Sequence, residues 1–220
     1  MIEIIERDDG LINGAPADHY LGDPGEWQPH DHRALRLCRG AVLDIGCGAG
    51  RTALELQRRS MAVTGLDVSP GAIEIARKRG LRDTVVATVE DFTRGATRYD
   101  TFLLLGNNLG LLGGPEQAPK FLAALAQLAK PGARIVAQGT DPYGTTDPVH
   151  VAYHQRNRDR GRLGGQLRLR LRYRRLATDW FDYLNCSVPE LEGLLEGTAW
   201  RLKSVDLQDR PYYVAVMERC

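Results

Sequence analysis

Cysteine is sparse. The chain has 4, Cys38, Cys47, Cys186 and Cys220, and no two form a C-x-x-C pair, so neither a zinc knuckle nor a disulfide framework is indicated and reduced thiols are expected. Long apolar runs are missing too, and the N-terminal MIEIIERDDG has acids where a signal peptide needs bases. A soluble, cytoplasmic protein with no membrane partner is therefore expected. Net charge is only +1, which argues neither for nor against nucleic acid. Lysine is scarce and arginine carries nearly all the positive charge, a coding bias before it is a functional hint. No internal repeat or low-complexity tract stands out beyond an arginine-rich stretch. What remains is ordinary: 220 residues, 43% hydrophobic and 26% charged, enough for one domain with a sizeable core.

Residues 1–40 are rich in Gly, Pro and Asp and read as a loop-rich leader with one short helix over HDHRALRLCRG, ending at Gly40. Such a leader acts either as a lid over a ligand or as a plain extension packed on the core. His30 and His32, in PHDHR, are expected to face solvent. From residue 41 strands and helices alternate, which implies a parallel sheet covered on both faces. The strands are AVLDI, AVTGLDV, TVVATV, DTFLLLG and ARIVAQG. Ser69, Pro70 and Gly80 bracket one of the helices. Another carries Phe121, Leu122, Leu125 and Leu128 on one face and is stopped by Pro131 and Gly132. The rhythm lapses over 144–187, which reads as an insertion: a helix around VAYHQRNRDRGR, then QLRLRLRYRR, whose alternation marks a strand, paired with TDWFDYLNCS as a hairpin. Over 188–220 a helix and two strands joined by a short turn at Asp209 to Pro211 close the chain, and so short a turn requires antiparallel pairing.

The stretch VLDIGCGAGR, Val42 to Arg51, carries the chemistry. A buried strand opens into a glycine turn and a helix, which brings backbone and a positive helix end up to a ligand. Dinucleotide sites use G-x-G-x-x-G. Here the pattern is G-x-G-x-G, Arg51 stands where that motif wants glycine, and Asp44 lies two residues before Gly46. With GLDVSP, VATVEDF, YDTFLLLGNN and LAKPGARIV following in order, the sequence resembles the class I S-adenosylmethionine-dependent methyltransferases over most of its length.

That resemblance implies an α/β fold, a Rossmann-like three-layer sandwich around a seven-stranded, mostly parallel sheet with an antiparallel C-terminal hairpin. It implies a single domain with a lid (1–40), a cofactor-binding core (41–143), a substrate-side insertion (144–187) and a closing helix and hairpin (188–220). It also implies S-adenosyl-L-methionine as cofactor. Backbone at Gly46, Cys47 and Gly48 would approach the methionyl part and ribose, with Asp44 acting from beneath, and Asp67 would accept from both ribose hydroxyls, with Val68 beside it. Adenine would lie near Val89 and Glu90 or Asp91, since Thr88 occupies the position where the family commonly has an acid. Gly106 and Asn107 would lie beside the sulfonium. Methyl transfer needs alignment and exclusion of water more than fixed catalytic groups. The candidates for orienting or deprotonating an acceptor are Asn107, Tyr143 and His154, with Asn108, Asp141 and His150 behind them. His150 and His154 share helical spacing but lack a third ligand, and no metal is expected. Arginines 156 to 174 could meet an anion or RNA, although the alternation in QLRLRLRYRR puts the second group on one solvent-facing side. Trp180, Phe181 and Tyr183 would wall an apolar pocket or pack the hairpin down. The favoured reading is methyl transfer to oxygen or nitrogen of a small molecule. RNA or protein methylation, a non-catalytic cofactor-binding module, and a nicotinamide-dependent oxidoreductase are the alternatives, and the oligomeric state is left open.

Overall fold

A computed structural model describes residues 2–92 and 97–220. In chain order its elements are β1 (Ile2–Arg7), β2 (Ile12–Pro16), α1 (Pro29–Leu37), β3 (Val42–Ile45), α2 (Arg51–Arg58), β4 (Val63–Asp67), α3 (Pro70–Lys78), β5 (Thr84–Val86) and β6 (Tyr99–Leu104). They continue as α4 (Ala118–Leu128), β7 (Ala129–Thr140), α5 (Pro148–Asp159), β8 (Gln166–Tyr173), β9 (Leu176–Ala177), β10 (Phe181–Leu184), α6 (Val188–Leu195), β11 (Trp200–Asp206) and β12 (Tyr212–Arg219).

The central sheet has seven strands in the order β11-β12-β7-β6-β3-β4-β5. β12 pairs antiparallel with both β7 and β11, and the other pairings are parallel. Strand residues alternate between the two faces, and two apolar layers follow from that. Leu43, Ile45, Phe102 and Leu104 join Leu122, Leu125 and Leu191 of α4 and α6. Val42, Leu103, Val136 and Val214 join Leu35, Ala53, Leu56 and Ala76 of α1, α2 and α3. The expected apolar face of α4 is buried in full. Trp200 closes the first layer, 2% exposed, edge-on to Phe102 at 5.8 Å, with its indole N–H donated to the Leu122 carbonyl.

The expected α/β alternation is present, with local differences. β5 stops at Val86, short of the TVVATV run, because Thr88 turns the chain: its hydroxyl accepts the Asp91 amide and donates to the Asp91 carboxylate. α4 ends at Leu128, before Pro131 and Gly132, which fall inside β7 where its pairing with β6 shifts register. α3 is bracketed as its sequence implies, with the Ser69 hydroxyl accepting the Ala72 amide and Gly80 at φ +100°.

A second sheet, all antiparallel, has the order β10-β8-β1-β2, with β9 also on β8. The β8–β10 pairing is the one expected of the insertion. The leader, expected to be loop-rich, instead supplies β1 and β2 to that sheet, and its α1 packs on the central one. The joint is polar as well as apolar. Arg7, 5% exposed, makes a two-point bond to Asp9, lies over the Tyr153 ring of α5 at 4.0 Å and donates to His150 Nδ1 at 3.0 Å. His30, expected in solvent, is 5% exposed, because α1 turns it onto β7. Among the described residues no helix is long and apolar enough to cross a membrane.

Candidate active site

The glycine turn after β3 is shaped by left-handed backbone. Gly46, Gly48 and Gly50 have φ of +67°, +54° and +80°, a region that side chains disfavour. Each glycine meets something different. A Cβ on Gly46 would come within 2.5 Å of Asn108 Nδ2, one on Gly50 within 3.3 Å of Ala76, and one on Gly48 would meet nothing within 4 Å. Gly48 therefore borders open space, whereas its neighbours are pressed against the fold. The amides of Gly46 and Cys47 are not directed outward. Both donate to the Leu66 carbonyl, at 2.8 and 3.1 Å. The Asn108 amide in turn donates to the carbonyls of Ile45 and Gly46, so Asn108 pins this turn from the side.

Two acids flank the turn. Asp67, ending β4, accepts the Gly48 amide at 2.8 Å and the Ser69 amide at 2.8 Å. A carboxylate has about four lone-pair sites, so these two bonds orient it and leave acceptor capacity for hydroxyls. Val68 beside it is 65% exposed, an apolar side chain held at the rim. Asp44 is 2% exposed and accepts the Thr52 hydroxyl at 2.8 Å. Burial pushes its pKa up to about 6, against the lowering effect of the Thr52 bond and of nearby Arg51. Burial likewise raises the Cys47 thiol, which leaves it protonated and inert near neutrality. Arg51, the departure from the dinucleotide motif, reaches back to the leader, pairing with Asp31 at 3.0 Å and lying over Trp27.

At the far side, Val89 is buried and Glu90 exposed, while Asp91 is held by Thr88. Beyond β6, Gly106 and Asn107 are consecutive left-handed residues, φ +69° and +67°, and a Cβ on Gly106 would also meet nothing within 4 Å. The Asn107 side chain is spoken for: its oxygen accepts the Thr140 hydroxyl at 2.9 Å and its amide donates to Asn185 at 3.0 Å. Its backbone carbonyl accepts the Tyr183 hydroxyl at 2.6 Å. Asn107 thus joins β6, β7 and the second sheet.

Tyr143 and His154 form a separate cluster. The Tyr143 hydroxyl donates to Glu190 of α6, and its ring meets the buried His154 edge-on at 5.9 Å. Desolvation lowers the His154 pKa. His150 is engaged by Arg7 instead, and Asp141 caps the turn at Pro142–Gly144 through the Tyr143 amide. Among the described residues no group of three or more His, Cys, Asp or Glu is placed to hold a metal ion. Two residues escaped the sequence reading, Gln138, which receives the amides of Gly106 and Asn107, and Asn185, and a third, His30, was expected in solvent but lies buried against Gln138. The one available signal was Gln138 itself, a lone amide in the apolar run ARIVAQG that had to find partners once buried.

Comparison with known proteins reports on the same residues. A methyltransferase domain model matches residues 42–132. A ubiquinone biosynthesis O-methyltransferase of Alkalilimnicola ehrlichii is 33% identical, over 56% of this chain and 55% of its own length. A 2-heptyl-1-hydroxyquinolin-4(1H)-one methyltransferase of Mycobacteroides abscessus is 35% identical over 44% of each. The chain thus spans about half the length of these curated relatives. A solved structure from Bacteroides fragilis, described as a SAM-dependent methyltransferase in complex with S-adenosyl-L-homocysteine, covers 100% of this chain and 88% of its own at 23% identity, with a TM-score of 0.85. The sheet order and the solved neighbour agree on the fold, and residues 42–132, which hold the glycine turn with its two flanking acids, match a methyltransferase domain.

Proposed function

We propose that this protein transfers the methyl group of S-adenosylmethionine to an oxygen or nitrogen of a small, largely apolar acceptor. One observation carries the acceptor class. The second sheet lies against the end of β6, where Tyr183 bonds to the Asn107 carbonyl, and the face that Tyr183 belongs to is apolar across β10 and β8, with Glu3 and Arg7 flanking Ile5 on β1. By strand alternation and register it includes Phe181, Leu167, Leu169, Leu171 and Ile5, all of them half-buried. A flat, apolar wall beside the carboxyl ends of the parallel strands suits a small molecule. Both curated relatives described above bear names of small-molecule methyltransferases.

The residues present fit the cofactor. Gly48 and Gly106 leave the room that a Cβ would fill, Asp67 keeps acceptor capacity for the ribose hydroxyls, and Asp44 sets a buried carboxyl beneath a ligand whose ammonium and sulfonium groups are positive. Val68, Val89 and Glu90 would line the adenine end. When bound, S-adenosylmethionine supplies a methyl group attached to a positively charged sulfur and open to in-line attack. The chain's own part is to align and to keep water out. Asn107, with its side chain already committed, acts by fixing the backbone beside the reacting atoms. Glu3, on the same face as Ile5, accepts the Tyr20 hydroxyl at 2.7 Å and places a carboxylate at the margin of the wall, where an acceptor proton could go. The leader and the 144–187 insertion, joined in one sheet, together act as the lid.

RNA is the weaker reading. Arg168 pairs with Asp182, and Arg170 and Arg172 with Glu6, so the arginines of β8 meet carboxylates within the chain. The deciding experiment is calorimetry with S-adenosylhomocysteine and with NADH, followed by detection of S-adenosylhomocysteine release on a panel of aromatic hydroxy and amino acceptors. Tight NADH binding without S-adenosylhomocysteine binding would sink the reading. Release with RNA alone would sink the acceptor class.

A further inference from the structure

The floor of the site is tied to the N-terminal helix by a relay of side chains. The amides of Gly106 and Asn107 converge on Gln138 Oε1, at 3.0 and 3.3 Å. Successive left-handed residues whose N–H groups point inward form a nest for an acceptor. Glycine and asparagine are the residues that enter the left-handed region most readily, and the shared acceptor fixes this pair in it. Gln138, 5% exposed, places its Nε2 3.0 Å from His30 Nε2. The direction of this contact can be deduced. Two backbone donors fix the Gln138 oxygen toward the nest, so its nitrogen donates to the histidine, and His30 Nε2 must be unprotonated. The proton of neutral His30 then sits on Nδ1, 3.3 Å from Asp209 Oδ2, at ion-pair rather than hydrogen-bond geometry.

We propose that His30 and Gln138 are positioning residues for the cofactor: a second proton, taken by His30 Nε2 from solvent, breaks or turns the Gln138 amide, loosens the Gly106–Asn107 nest and weakens cofactor binding. The proposal rests on the methyltransferase reading. The charges around His30 are largely met by others. Asp209 is held by Arg33, which also holds Asp206 of β11. Asp31, 4.0 Å from His30, is held by Arg51 of α2. Tyr212 of β12 presents its ring at 5.6 Å, and Gln138 presents an N–H that directly opposes the second proton.

The test is S-adenosylhomocysteine affinity, measured by calorimetry from about pH 8 down to about pH 5, through the range where imidazole is protonated. Asp44 titrates in the same window, so the decisive comparison is between the native protein and three variants. His30→Gln offers Gln138 an acceptor that does not titrate. It should keep the alkaline affinity that His30→Ala loses, and should lose about fivefold to tenfold less affinity than the native protein on acidification, the worth of one buried hydrogen bond. Gln138→Glu accepts both from the nest and from a protonated His30, so it should hold its affinity best at acid pH. In the native protein, needing no variant, the Gly106 and Asn107 amide resonances should titrate together with the His30 ring. Binding that falls equally with acid in native and His30→Gln protein, or amide resonances that ignore the His30 titration, would overturn the relay and leave the methyltransferase reading intact. No binding at any pH would overturn both.

Discussion

Asp67 and Asp44 stand on neighbouring strands, and their surroundings give them different work. Asp67 is half-buried and held by two amides, which aim its carboxyl group and leave lone pairs free to accept. In the proposed role Asp67 accepts from the ribose, so Asp67→Ala would remove up to two charged hydrogen bonds, each worth ~1.5–3 kcal/mol, and should weaken cofactor binding at least tenfold by calorimetry. Asp44 has lost its water, and its folded pKa of about 6 lies above the ordinary 3.8. A raised carboxyl pKa means the folded state binds the extra proton more tightly. Its contribution to stability is therefore complete below about pH 3.8 and is lost as pH rises through about 6. The ligand-free protein should lose roughly 2 to 3 kcal/mol from this group across that window, and Asp44→Asn should flatten the urea midpoint plotted against pH. Both aspartates were legible in the sequence, because the glycine turn and the next strand end fix where they stand. Gln138 and His30 were not, because their partners are decided only when α1 lies down on β7.

Among the elements, β10 joins the second sheet to the turn that follows β6. Tyr183 packs its ring where a Cβ on Gly110 would come within 2.4 Å, and its hydroxyl reaches the Asn107 carbonyl. Tyr183→Phe keeps the packing and deletes the bond, so the fold should survive with a loss of about 1 kcal/mol. Amide exchange in β10 and in the turn after Asn107 should quicken, which hydrogen-exchange mass spectrometry would detect. An unchanged exchange pattern would remove Tyr183 as the link. Helices such as α4 were readable from their apolar period, and α6, expected from VPELEGLLEGT, is closed at its start by a Ser187 and Glu190 capping box. The strands β1 and β2 were hidden. MIEIIER is short, and β1 finds its β8 partners, Leu169 to Arg172, only after most of the chain has intervened.

At the scale of the molecule, charge is paired locally rather than gathered into a field. The arginines of β8 are matched by Glu6 and Asp182, and the chain as a whole carries +1. RNA held by a basic surface would dissociate steeply with added salt. The expectation here is little RNA retention even at about 50 mM salt in a filter-binding assay. Tight retention that falls steeply with salt would reverse the assignment of β8 as a paired, structural strand.

By itself the sequence determined the glycine turn and the mostly parallel central sheet with its antiparallel C-terminal hairpin. Both depend on local signals: glycines where the chain must turn left-handed, acids at strand ends, and helices capped by their own neighbours. Only the tertiary structure decided what stands opposite the cradle. The leader and the insertion are far apart in the chain, and β1 of the one pairs with β8 of the other. The wall they build beside Asn107, and the His30–Gln138 relay beneath it, exist only in the folded chain.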